Sequence, residues 1–183
     1  MNIRSTTLKD VIEIIPNIFS DERGFFFESF NENTWKKQGL PYSFKQDNQS
    51  YSIKNVVRGL HFQTGEHAQG KLVRVIKGRV LDIALDLRQE SPTFGKYELF
   101  DLDSESGKMI YIPEGFAHGF AALEDSIFHY KCTGEYCKSA EAGIHWNDSS
   151  LKIPWEVDSP IVSLKDQMLP TFEEYLQGSY SVN

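Results

Sequence analysis

The chain has 183 residues, enough for one domain, or one with a short appended tail, and enough to bury a core without disulfide support. Its 40% hydrophobic and 25% charged residues exclude a disordered chain, and no window approaches the ~18 apolar residues of a membrane span. A net charge of -7 argues against nucleic acid or an anionic membrane as partner, so any anionic ligand requires a local basic cluster. Met1 to Asp10 lack the apolar stretch of a signal peptide, and Cys132 and Cys137 read as free thiols in a reducing cytosol, so a cytoplasmic location is expected.

In chain order, Asn31 to Gln38 predicts a helix, capped by Asn31 or Asn33 and ended by Gly39-Leu40-Pro41. Leu72 to Ile76 and Val80 to Leu87 predict strands flanking Lys77-Gly78, a hairpin turn. In the second run Leu81, Ile83, Leu85 and Leu87 alternate with Asp82, Ala84 and Asp86, the period of a sheet with one greasy face. Met109 to Ile112, Phe116 to Leu123 and Ser126 to Cys132 predict three more strands, with Pro113 and Gly115 as punctuation. Ser163 to Gln167 and Thr171 to Gln177 predict short helices, the second capped by Thr171 with Glu173 and Glu174 in its first turn. Many short strands and few helices predict a mainly β sandwich or barrel. Residues 1–183 read as a single unit, with about 171–183 as a peripheral tail.

Functional groups concentrate in four stretches: Asp21 to Glu28, Gln46-Asp47-Asn48, Arg58 to Gln63, and Ile112 to Phe120. Pro113-x-Gly115-x-x-His118 resembles the second metal-binding motif of the cupin superfamily, whose fold is a small jelly-roll barrel. A metal-binding cupin also carries H-x-H in its first motif, and here that segment reads His61-Phe62-Gln63. Two histidines make a poor site for zinc or iron, which want three or more protein ligands, so no metal is expected and the histidines become candidate acid-base groups.

The ordered set D-E-R-G-F-F-F-E-S-F, Q-D-N, R-G-L-H-F-Q, Q-G-K-L-V-R, S-P-T-F-G, I-P-E-G-F-A-H-G-F, W-N-D and S-x-K-D, spread from Ser20 through Asp166, resembles the dTDP-4-dehydrorhamnose 3,5-epimerases. The resemblance implies a cupin-like jelly roll with a few short peripheral helices, acting without cofactor or metal on a 4-keto-6-deoxyhexose carried by thymidine diphosphate. Protons at C3 and C5, each next to the ketone, would be removed on one face and returned on the other. By the same resemblance His61 is the base, Asp166 its partner, Tyr130 the proton donor, and Lys71 the cation near the C4 oxygen. Arg23, Glu28, Gln46, Asp47, Asn48, Arg58, His118, Glu141 and Lys165 complete the binding set, and Tyr136 stacks on thymine. The types suit the tasks. Histidine titrates near working pH, a carboxylate fixes its tautomer, and guanidinium groups bind diphosphate by charge-assisted pairs. A homodimer is expected, because the family's N-terminal strands reach the neighbouring subunit and Phe25, Phe26 and Phe27 form an apolar run awkward for a lone chain to cover.

Some relatives on this barrel epimerise only one centre or isomerise the ketone, and that is the alternative activity. The chain departs from the family pattern at Glu135, where many relatives carry a tyrosine, and at His145, often an arginine. Strict strand alternation would place Arg58 and His61 on opposite faces, unless Gly59 marks a bulge that shifts the phase; the alternative is that Arg58 serves a site edge near the dimer interface.

Overall fold

The computed structural model describes residues 1–178. The strands are β1 (Asn2–Ser5), β2 (Ile12–Ile15), β3 (Phe19–Asp21), β4 (Gly24–Phe26), β5 (Gln46–Ser52), β6 (Val56–Gln63) and β7 (Lys71–Lys77). They continue as β8 (Arg79–Asp86), β9 (Tyr97–Asp103), β10 (Met109–Ile112), β11 (Phe116–Ala122), β12 (Ser126–Cys132), β13 (Glu141–Gly143) and β14 (Ile161–Val162). Three short helices are α1 (Glu32–Lys37), α2 (Leu164–Gln167) and α3 (Phe172–Leu176). One six-stranded sheet runs β1-β2-β10-β7-β12-β5, and a second layer runs β13-β6-β11-β8-β9 with β14 parallel to β6. The mainly β, jelly-roll-like architecture is the one expected.

Period-two alternation sorts each strand between an inner and an outer face. Val73, Val75, Val80, Ala84, Ile110, Ile112, Phe120 and Phe128 meet between the sheets as the inner core. The outer face of the first sheet is covered by Trp35 of α1 with Leu40, and that of the second by Ile144, Ile153, Trp155, Phe172 and Tyr175. Tail helix α3 thus lies outside the sheets but packs on them, and a capping box between Thr171 and Glu174 starts it. Residues 179–183 of the expected tail lie outside the described residues. The other two expected helices also form, with Asn31 and Ser163 as side-chain caps.

Two expectations are corrected. Lys77-Gly78 is no hairpin: β7 lies in the first sheet and β8 in the second, so this turn carries the chain between layers. Gly78, at φ +80, is required there, because a Cβ would meet the Asp125 carbonyl oxygen at 2.5 Å. Strand β8 has no solvent face either. Its leucines face out beneath the C-terminal segment, while Asp82 and Asp86 face in, both fully buried. Such buried charge persists because each carboxylate is paired, Asp82 with His118 and Asp86 with Arg88, Ser91 and Thr93.

Candidate active site

At one end the two sheets part into a cleft of about 420 Å³. Alternation on β5 turns Gln46, Asn48 and Ser50 into it, and on β12 it turns Tyr130 and Phe128 the same way. The opposite wall comes from β6 and β11, with Arg58, His61 and His118. Lys71 enters from the start of β7, and Tyr136, Glu141 and Gln69 line the rim.

Of the two alternatives for Arg58, the bulge at Gly59 is present. His61 pairs with His118, but Arg58 pairs with Phe120, one residue out of step across Gly59. Gly59 takes φ +125, and a Cβ on it would lie 2.6 Å from the Gly119 Cα. The extra residue reverses the alternation, so Arg58 and His61 line one cleft.

His61 Nε2 donates to Asp166 Oδ1 at 2.8 Å, and Asp166 Oδ2 accepts from the Gly59 amide at 3.2 Å. Burial opposes ionisation of Asp166, but the His61 contact, the Gly59 amide and Ser163 outweigh it and hold the carboxyl below its usual range. An ionised carboxylate only accepts, so Nε2 carries the proton and Nδ1 keeps a lone pair. Asp166 reaches this place because Ser163 caps α2, its hydroxyl accepting the Asp166 amide at 3.0 Å.

A second pair lies deeper: His118 Nε2 donates to Asp82 Oδ1 at 2.7 Å. Burial pushes the His118 imidazole down, opposed by the Asp82 carboxylate and aided by the neighbouring Lys71 and His61 side chains. Among the described residues, none partners the buried Asp82 Oδ2. Lys71 is pushed down by burial, against the pull of Cys132, Asp82 and Glu141, and its Nζ donates to the His61 carbonyl at 3.4 Å. Burial raises the Tyr130 phenol. At the rim Tyr136 donates to Glu141 at 2.8 Å, and Lys165 pairs with the same carboxylate at 2.5 Å. Gln46 donates to Asn48 and accepts the Tyr136 amide, tying β5 to the rim.

Eleven of the fourteen expected residues therefore line or directly abut the cleft: His61, Tyr130, Lys71, Gln46, Asn48, Arg58, His118, Tyr136 and Glu141 line it, with Asp166 behind His61 and Lys165 at the rim. Lys165 abuts it through Glu141. Three are elsewhere. Asp47 points out of β5 by alternation and pairs with Lys131 at 2.9 Å. Arg23 lies on the exposed β3-β4 hairpin against Asp21, and Glu28 accepts from Asn31 at 3.0 Å. Asp82 was missed as a site residue, and an acid inside an otherwise apolar strand was its signal. Among the described residues, no group of three His, Cys, Asp or Glu side chains is placed to hold a metal ion.

Residues 5–174 match the family model described as dTDP-4-dehydrorhamnose 3,5-epimerase. The enzyme of that name from Salmonella typhimurium is 48% identical over 179 residues, covering 96% of this chain and 98% of that protein. The crystal structure of dTDP-4-dehydrorhamnose 3,5-epimerase from Elizabethkingia anophelis is 46% identical, covers 95% of this chain and 97% of that one, and superposes with a TM-score of 0.89. The enzyme from Legionella pneumophila, solved with dTDP-4-keto-L-rhamnose, is 42% identical with a TM-score of 0.89, covering 94% of this chain and 93% of that one. With this fold, cleft and likeness along almost its whole length, the chain belongs to the dTDP-4-dehydrorhamnose 3,5-epimerase family.

Proposed function

We propose that the protein epimerises dTDP-4-dehydro-6-deoxy-D-glucose at C3 and C5, giving dTDP-4-dehydro-L-rhamnose. The observation that carries this reading is the His61–Asp166 pair facing a cleft that also holds Tyr130 and Lys71. His61 Nδ1 takes the proton from the carbon beside the ketone, and Asp166 offsets the charge of the imidazolium that forms. The electron pair moves onto the C4 oxygen, where the Lys71 ammonium stabilises it as an oxyanion-hole donor does. Tyr130 returns a proton to the other face, so the centre inverts. His118, with its Nε2 proton committed to Asp82, offers Nδ1 to accept from a sugar hydroxyl. Arg58 meets the diphosphate, Gln46 and Asn48 the nucleoside edge, and Tyr136 the thymine ring, with Glu141 and Lys165 holding that rim.

Arg23 and Glu28 join this site in a homodimer whose β3-β4 hairpins cross between subunits. The support is the hairpin itself, which pairs with neither large sheet and exposes Phe19, Phe25 and Phe26.

The test is solvent exchange in deuterium oxide with dTDP-4-dehydro-6-deoxyglucose and purified protein, followed by proton NMR. Two deuterons per sugar are expected, at C3 and C5. One deuteron would reassign the protein to single-centre epimerisation, and none would sink the proposal. His61→Ala should slow exchange by about 10²–10⁴-fold while dTDP still binds.

A further inference from the structure

Stacking a flat base on an exposed tyrosine costs less when the ring is already held in place. Tyr136 has no sheet ladder to hold it. Residues 133–137 form neither helix nor strand on the way from β12 in the first sheet to β13 in the second. Backbone amides in such a segment need partners from side chains or water.

Two glutamines supply them, one from each sheet. Gln46 of β5 accepts the Tyr136 amide with Oε1 at 2.8 Å, and its Nε2 donates to Asn48 at 2.9 Å. Gln63, the last residue of β6, accepts the next amide, that of Cys137, with its own Oε1 at 2.8 Å. Only the oxygen of the side-chain amide can accept from an N–H, so this contact fixes which way round Gln63 sits. Gln63 is buried, and its register partner on β13 is Glu141, the acid that accepts the Tyr136 hydroxyl at 2.8 Å. Half-exposed Tyr136 is thus held at its own amide, at the next amide, and at the far end of its ring.

The proposed chemistry gives Gln63 no task, although it stands where a metal-binding cupin carries the second histidine of H-x-H. Loss of its side chain leaves this pair of amides anchored to the first sheet alone. We infer that Gln63 is a positioning residue for the nucleoside: by holding the Cys137 amide from the second sheet, it fixes Tyr136 as a preformed platform for the thymine ring. The inference rests on the reading of Tyr136 as the residue that stacks on thymine.

The test is a double-mutant cycle on dTDP binding, measured by titration calorimetry, with Gln63→Met, Tyr136→Ala and the double variant. Met keeps the length of the side chain and loses its oxygen acceptor. Gln63→Met is expected to raise the dTDP Kd by roughly three- to tenfold in the parent protein, and to add almost nothing in the Tyr136→Ala background. In the exchange assay, KM should rise by more than kcat falls. A loss of equal size in both backgrounds overturns the inference, because Gln63 then acts on the ligand or the fold without Tyr136. An unchanged Kd in Gln63→Met overturns it as well. If Gln63→Met does not fold, Gln63→Ala decides by the same cycle, since the space it leaves admits water to the Cys137 amide. A Tyr136→Ala protein that binds dTDP as tightly as the parent would overturn the thymine-stacking reading itself, and the role of Gln63 with it.

Discussion

One hydrogen bond, from His61 Nε2 to Asp166, sets which nitrogen of His61 is left free for the proton abstraction proposed above. Asp166→Asn can turn its amide N–H toward Nε2, which moves the ring proton to the other nitrogen and removes the charge that steadies the imidazolium. Exchange should drop by about 10²–10⁴-fold with little change in the melting curve. His118 predicts a different behaviour. Its folded pKa lies below the unfolded value of 6.5, so the unfolded chain takes up a proton first and stability falls as the pH drops below about 6.5. His129, lowered by burial, adds a contribution of the same sign. Thermal melts of wild type and His118→Gln between pH 7.5 and 5.5 should show the shallower slope in the variant. Equal slopes would mean that His118 is not held neutral. His61, Asp166 and His118 were legible in sequence through the family motifs. The Asp82 partner was not, because an acid alternating with leucine reads as a solvated face until tertiary packing closes both sides.

At the scale of elements, the β6 bulge decides the site. Gly59→Ala places a Cβ against the Gly119 backbone, at a positive φ that L residues avoid. The strand must shift, which costs about 1–3 kcal/mol from overpacking alone and moves Arg58 and His61 relative to each other. A large loss of exchange with only a modest loss of stability is expected, and wild-type turnover would contradict the bulge as the positioning device. Strand β8 predicts a stability effect far from the cleft. Burial opposes ionisation of Asp86, but Arg88, Ser91 and Thr93 outweigh it and pull its carboxyl to about 2. Arg88 also holds the Lys9 carbonyl and Asp10, tying the N-terminal segment to the barrel. The stabilisation from Asp86 is present above the ordinary carboxylate range and is lost as pH falls through that range toward 2. Asp86→Asn should cost about 3 kcal/mol, lower the melting temperature on the order of 10 °C, and flatten acid unfolding below about pH 4. Strand positions and helix caps were readable from local pattern, since alternation and Asn, Ser or Thr caps are short-range signals. Whether Lys77-Gly78 closes a hairpin or crosses between sheets was not, because both need the same glycine.

For the whole molecule, the β3-β4 hairpin stands apart from both large sheets with its aromatic side chains exposed. A symmetric dimer is expected at micromolar concentration by light scattering, and Phe25→Ser with Phe26→Ser should give a monomer with weakened substrate binding. A wild-type monomer with full activity would refute the crossed-hairpin arrangement. By itself the sequence determined the mainly β character, the family, and the residues whose chemistry suits proton transfer beside a ketone, because motif order and residue type survive without coordinates. Tertiary structure alone decided which of them meet. It turned Asp47 outward by alternation, brought Arg58 in through a one-residue bulge, and seated Asp166 beside His61 across 105 residues of chain. The physical reason is that strand phase and layer crossing are set by long-range pairing, which no local pattern encodes.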